Sequence, residues 1–261
     1  MNIDFHTHGK LAKALPVNEK YLQWMFDECK KTSLDAICLT EHFNTKAFKD
    51  LYKLVYENSE KDGDCLIFNG LKIFPGMEVD ILEGAHILVL GKFEDIIDIN
   101  EKLENHKTKE TFLTFDDLMD LLEPYDLIIG GAHPFRSNGA IPRLTKDQLE
   151  KLDFIDLNGK DTALEGEKNI EKIKTFAKKI SKPILCGSDT HQAFQYEAVY
   201  NEFENDVNSF KDLREEIEKG RYKLKISATI KDQVKSATLL KKALKSIHAL
   251  GGDYIDVLTN S

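Results

Sequence analysis

The residues able to do chemistry in this chain are histidines and carboxylates, and they recur at matching places. His6 and His8 stand one residue apart in DFHTHGK, with Asp4 two residues before them. Glu41 and His42 follow the apolar run DAICLT, and Glu78 and Asp80 close LKIFPGMEVD. His133 closes DLIIGGAH, Asn158 closes FIDLN, and Asp189 and His191 follow PILCGS, while His86 begins HILVL. Side chains alternate along a strand, so an HxH pair sends two imidazoles to one face, within reach of one cation. A single histidine at a strand end is equally what a hydrogen-bonded structural residue looks like. Six imidazoles gathered with several carboxylates are different, because burying them together is costly unless cations neutralise them. Nitrogen and oxygen donors without thiolate suit zinc, manganese or iron, and a shared carboxylate suits more than one ion. The two remaining histidines, His106 and His248, lie in charged, helix-like stretches.

These residues need elements to hold them. Short apolar runs at 2–5, 35–40, 71–81, 85–90, 126–133, 154–158 and 183–189 read as strands, with a turn at Glu83-Gly84 between the third and fourth. Apolar periodicity predicts helices over 18–31, 46–61, 114–122, 165–180, 209–219 and 231–247. Thr114 and Asp117 have the spacing of a capping box with Asp in the Glu place. Such alternation implies a parallel sheet, open or closed into a barrel, whose active site lies at the carboxyl ends of the strands. The candidate residues fall there. His86 begins its strand, and an antiparallel course would return it to the same rim.

The 261 residues suit one domain of barrel size. A net charge of −9 argues against a nucleic-acid coat protein, since phosphate backbones need a basic surface. No stretch approaches 18 apolar residues, and the N-terminus lacks the basic-then-apolar pattern of a signal peptide, so a cytoplasmic protein without membrane contact is expected. The four cysteines show no CxxC pairing, and Cys38 and Cys186 lie in strand-like runs as buried thiols. Residues 1–228 are expected to form the barrel. Residues 229–261 form a helix and tail that pack on it or on a partner.

Taken in order, DFHTH, TEH (40–42), GME (76–78), HILVLG (86–91), AHPFR (132–136), LNG (157–159) and GSDTH (187–191) resemble the polymerase and histidinol phosphatase (PHP) family of metal-dependent phosphoesterases. The resemblance implies a single-domain α/β fold, a distorted (β/α)7 TIM-like barrel, with two or three divalent ions (Zn, Mn or Fe) at one mouth. It implies that His6, His8, Glu78 and Asp189 hold the first ion. Glu78 would bridge to a second completed by His86 and His133, and His42 and His191 would serve a third. The family usually supplies a further third-ion ligand six or seven residues after HxH, where this chain has Ala14 and Leu15. Lys13, or else Lys10, is then expected to place an ammonium where the third ion would hold phosphate.

In the implied reaction a metal-bridging hydroxide attacks phosphorus, and Arg136 is the expected catalytic and phosphate-binding cation, its planar fork three residues beyond His133. Arg143 and Lys160 are further substrate-binding candidates, and Asp4 an expected partner oriented inward like His6 and His8. Ser188 lacks the flanking glycines of a nucleophile elbow. The expected function is hydrolysis of small phosphate monoesters, of the histidinol phosphatase or nucleotide phosphatase kind. The alternatives are an exonuclease or other nucleic-acid phosphodiesterase, a tyrosine phosphatase, and a metal-stabilised scaffold without catalysis. The partner is a small phosphorylated substrate rather than nucleic acid, selected by loops at 9–18, 43–47, 135–145 and 159–166. The sequence does not specify the oligomeric state.

Overall fold

The computed structural model describes residues 1–136 and 140–259. Among these, eleven strands form one sheet. They are β1 (Asn2–Thr7), β2 (Ala36–Leu39), β3 (Ser59–Asp62), β4 (Cys65–Phe68), β5 (Leu71–Asp80), β6 (His86–Leu90), β7 (Ile128–Ala132), β8 (Phe154–Asn158), β9 (Ile184–Gly187), β10 (Val199–Phe203) and β11 (Tyr222–Ile226). The helices are α1 (Glu19–Cys29), α2 (Phe48–Glu57), α3 (Phe93–Lys102), α4 (Phe115–Leu122), α5 (Lys146–Glu150), α6 (Gly159–Glu165), α7 (Glu167–Ile180), α8 (Phe210–Glu218), α9 (Ile230–Ala249) and α10 (Asp256–Thr259).

Seven strands, in the order β1-β2-β5-β6-β7-β8-β9, make a nearly closed barrel. The seam between β9 and β1 closes at the mouth, where the Asp189 amide donates to the His6 carbonyl at 2.8 Å and the His8 amide to the Thr190 carbonyl at 2.9 Å. Lower down, β10 runs antiparallel beside β1, and Asn201 fills the gap. Its amide group donates to the Ile3 carbonyl (3.1 Å) and the Cys186 carbonyl (2.9 Å), and its oxygen accepts from the Cys186 amide (2.8 Å).

The distortion is β6. It runs antiparallel to both neighbours, with Asp80 opposite His86 and His86 opposite Ala132. The short turn at 81–85 therefore returns the chain to the same rim, and His86 starts its strand beside the residue that ends β5. Because side chains alternate, one face of each strand reads apolar below and polar above. Phe74 precedes Glu78, Leu88 follows His86, Phe154 precedes Asp156, and Leu185 precedes Gly187. Ile3, Phe5, Phe74, Leu88, Phe154 and Leu185 form one buried cluster.

The structure revises several expected elements. The helix expected over 46–61 ends at Glu57, and Ser59–Asp62 instead pairs with Cys65–Phe68 as a hairpin. The helix expected over 165–180 is α7, and an unexpected short helix, α6, precedes it across Gly166 with φ +61°. β10 and β11 extend the sheet beyond the barrel. Thr114 caps α4 by accepting from the Asp117 amide, but its hydroxyl donates to the Asp117 carboxylate, so the reciprocal half of a capping box is missing. The complete box is Thr145 with Gln148 on α5. No helix among the described residues is long and apolar enough to cross a membrane. All four cysteines are buried and unpaired.

Candidate metal centre

β1 does not follow simple alternation. Its register with β2 shifts between Asp4 and Thr7, so three steps on β1 match two on β2. Such a bulge re-aims side chains. Phe5 packs on Phe154 in the barrel interior (ring centroids 5.7 Å), and His6 sits one layer above it, beside Asp156 and Glu78. The expectation that Asp4 points inward with the histidines is thereby corrected. Its Oδ1 accepts from the backbone amides of His6 (3.1 Å) and Ser188 (3.0 Å), bracing the seam. Burial pushes the Asp4 carboxyl up to about 7, against those stabilising amides.

His6, His8, His42, Glu78, His86, His133, Asp189 and His191 all converge on the mouth. Three groups among them could each hold an ion: His6, His8 and Asp189; Glu78, His86 and His133; and His8, His42 and His191. Glu78 faces two ways. Its Oε1 lies 3.0 Å from His133 Nε2 and contacts His86 Nδ1. Its Oε2 lies 3.5 Å from both His6 Nε2 and His8 Nε2, and 2.7 Å from His42 Nδ1. Asp189 Oδ1 stands 3.3 Å from His8 Nε2 and 3.8 Å from His191 Nε2.

These distances are too long, or the angles too poor, for hydrogen bonds across much of the cluster. His6 Nε2, both nitrogens of His8, His42 Nδ1 and Glu78 Oε2 are buried without a hydrogen-bond partner. A fold rarely tolerates such orphans, and a cation is what imidazole nitrogens and carboxylate oxygens share. The donor set therefore fits divalent metal.

Second partners fix how the rings are presented. His6 Nδ1 faces Asp156 Oδ2 at 3.4 Å, which leaves Nε2 toward Glu78 and Asp189. His191 Nδ1 lies 3.0 Å from the Lys10 carbonyl, which can only accept, so its Nε2 is left without the proton. Glu41 is fully buried, accepts from the amides of Gly9 (3.2 Å) and His42 (3.0 Å), and stands 3.7 Å from His8 Nδ1. Glu41 stands among the strand-end carboxylates already picked out in the sequence, whereas Asp156, inside FIDLN, is not legible as a site residue from spacing.

Backbone geometry adds to the aim. His133 (φ +27°) and Asp189 (φ +58°) both occupy the left-handed region, where side chains are strained, at the turns that end their strands. At Gly187 a Cβ would lie 2.3 Å from His6 Cβ and 2.9 Å from Asp156 Oδ1, so glycine there makes room for the His6–Asp156 pair.

Charge is concentrated. Burial opposes ionisation of Glu78, yet His42, His86 and His6 hold its carboxyl well below the usual range. Burial likewise opposes charge on His86, but Glu78 and Asp80 carry it up to about 10. Burial, with His8 and Lys241 nearby, keeps His191 well below the ordinary imidazole value.

The cationic candidates separate. Arg136 donates to Asp189 Oδ2 (2.7 Å), Asn158 Oδ1 (2.7 Å) and Asp161 (3.1 and 3.3 Å), so three of its five N–H groups are engaged and it clamps Asp189. Arg136 and Lys160 line the cavity over the cluster. Arg143 is exposed on the turn Ile141–Arg143 and is not brought to that cavity. Lys13 pairs with Asp80 (2.9 Å), whose other oxygen meets His86 Nε2 at 2.8 Å. Lys10 is buried and turned away, its ammonium spent on the Lys13 carbonyl (3.2 Å), Thr45 (3.0 Å) and the Lys46 carbonyl. The idea that Lys10 stands in for a third ion is corrected accordingly. Leu15, at the missing-ligand position, is packed in the core, and Ala14 is exposed. Of the loop 135–145, residues 137–139 lie outside the described residues. The helix expected over 231–247 packs on the barrel as α9, and its residues from Val234 to Lys245 wall one side of the same cavity.

Residues 168–222 match the PHP_C family, described as PHP-associated. No curated protein matches in sequence. The fold is similar to that of PsfC from Pseudomonas syringae PB-5123, with a TM-score of 0.77 and 20% identity over 93% of this chain and 98% of that one. It is also similar to the lesion-specific endonuclease PfuEndoQ from Pyrococcus furiosus, with a TM-score of 0.63 and 20% identity over 85% of this chain and 57% of that one. A structure of Endonuclease Q in complex with a 27-mer duplex bearing an abasic lesion gives 0.61 and 21% over 86% and 58%. Together with the strand-end motifs, the match over 168–222 and the shared fold support a PHP-family protein.

Proposed function

We propose that this chain is a metal-dependent hydrolase of small phosphate monoesters, with His6, His8, His42, Glu78, His86, His133, Asp189 and His191 as its metal ligands. The observation that carries the reading is the set of buried, partnerless imidazole and carboxylate atoms converging at the mouth. Divalent ions held there supply Lewis-acid activation of water and of the phosphoryl oxygens. Glu78, with one oxygen toward His86 and His133 and the other toward His6, His8 and His42, would be the carboxylate shared between ions held there. Asp156 and the Lys10 carbonyl hold His6 and His191 in the tautomers that present Nε2. Arg136 fixes Asp189 and lines the cavity with two N–H groups left over, which would meet charge on the phosphoryl oxygens. In the overall reaction a water oxygen bonds to phosphorus, the ester P–O bond breaks, and the alcohol leaves with a proton. Water is the nucleophile in this reading, so none is asked of a side chain, and all four cysteines are buried.

Purified protein loaded with Mn²⁺ or Zn²⁺ should hydrolyse a chromogenic phosphate monoester, and chelation should abolish turnover. Absence of turnover with every metal would favour the scaffold reading. A second reading, nucleic-acid phosphodiesterase, draws support from the fold shared with Endonuclease Q, whose duplex complex is known. α9 opposes it here, because it lies over the mouth and leaves a cavity of about 330 Å³, the size of a metabolite site.

A further inference from the structure

α9 buries a stripe made of Ile230, Val234, Ala237 and Leu244. Lys241 falls on that stripe, four residues after Ala237 and three before Leu244, where helical spacing calls for another apolar side chain. It lines the cavity above the metal centre instead, together with Lys242, Lys245 and, from α6, Lys160. Some lysines of this acidic chain are paired with carboxylates, Lys13 with Asp80, Lys172 with Glu165 and Lys225 with Glu202, and others stand unpaired in solvent. Among the described residues, the side chains of the four cavity lysines have no hydrogen bond or ion pair with any carboxylate. Burial lowers Lys241 to about 8, and the neighbouring lysines Lys160 and Lys245 add to that while Asp189 opposes it. Like charges brought together repel one another, and the carboxylates that line the same cavity, Glu78 and Asp189, belong to the metal centre. An anion entering the cavity would relieve that repulsion, and the reacting phosphoryl group belongs on the opposite wall.

We propose that Lys160, Lys241, Lys242 and Lys245 form a second anion site facing the metal centre, and that the substrate is a small bisphosphate. One phosphate monoester is cleaved at the metal centre, and a second phosphate at the far end of the molecule is held by the lysines. The proposal rests on the phosphoesterase reading for which phosphate is cleaved, but not for whether the lysines bind an anion.

The test uses the full chain, metal-loaded, as wild type and as the triple variant Lys241→Met, Lys242→Gln, Lys245→Gln. Binding is read by calorimetry with propane-1,3-bisphosphonate and with propylphosphonate, neither of which can be hydrolysed. Wild type should bind the bisphosphonate at least about 10-fold more tightly, the scale of one charge-assisted hydrogen bond or more, and the variant should lose that preference. Kinetics with propyl phosphate and propane-1,3-diyl bisphosphate should show the same change in the ratio of kcat/KM. Equal binding of the two phosphonates by wild type, or a preference that survives the triple substitution, would overturn the proposal. So would stronger binding of a single-stranded oligonucleotide than of the bisphosphonate. If wild type prefers the bisphosphonate but hydrolyses neither ester, the phosphoesterase reading fails and the lysine site stands. A single Lys241→Met variant with unchanged melting temperature guards against misfolding, and it should lose part of the preference.

Discussion

Two buried polar regions lie a few residues apart along the β1–β9 seam, and they differ in one respect. At the lower seam, Asn201 is fully buried and spends both ends of its amide on backbone groups of β1 and β9. Thr7 and Tyr52 are equally buried, and their hydroxyls donate to the Cys38 carbonyl (2.8 Å) and the Leu39 carbonyl (2.7 Å). At the upper seam His6 and His8 are as deeply buried, but their inward nitrogens have no partner within the fold. Burial of polar atoms is thus structural where the fold itself completes the hydrogen bonds. It points to a ligand where the fold leaves them open.

The sharpest way to break the comparison is Glu78→Gln, which keeps the shape and removes the charge shared by both sides of the cluster. It should cost about 10³-fold or more in kcat/KM, the loss of several kcal/mol of Lewis-acid stabilisation, with metal content falling alongside. Full activity in that variant would show that the mouth does not work through this carboxylate. Asn201→Ala should instead leave metal stoichiometry as in wild type and lower stability by about 2–4 kcal/mol in denaturant unfolding, because it strands three backbone partners. Loss of metal there would mean the two regions are not separable. Asp156→Asn should weaken metal binding by about 10–100-fold, as a lost ring-orienting partner does, in a competition titration with a chelator. The smallest effect is expected from His8→Leu in metal-free protein. Removing two orphaned nitrogens should leave stability unchanged or raise it by about 1 kcal/mol, whereas a clear drop in melting temperature would make His8 a structural histidine after all.

Much of this was legible in the sequence because the barrel imposes period two on each strand and places polar residues at one end. LKIFPGMEVD and FIDLN therefore read directly as strands with chemistry at their carboxyl termini, and the reversed course of HILVL followed from the position of His86. What escaped depends on partners distant in sequence. Asp156 acquires its role from His6, 150 residues away. The bulge that turns Asp4 aside is a matter of register with β2, and the hairpin at 59–68 hides because SEKD reads as a polar helix end. The readings of Lys10 and Arg136 as phosphate cations could not anticipate that nearby carbonyls and carboxylates take up most of their donors. Lys241 left a trace, a cation at an apolar position of α9, but its meaning needs the mouth beneath it.

The central claim is that the open valences at the mouth belong to metal. Elemental analysis of protein purified without chelator, then reconstituted with Zn²⁺ or Mn²⁺ and desalted, tests it most directly. Wild type should retain two or more tightly held divalent ions per chain and Glu78→Gln fewer; less than one ion per chain in wild type, with every metal offered, would mean that the open valences are not filled by metal.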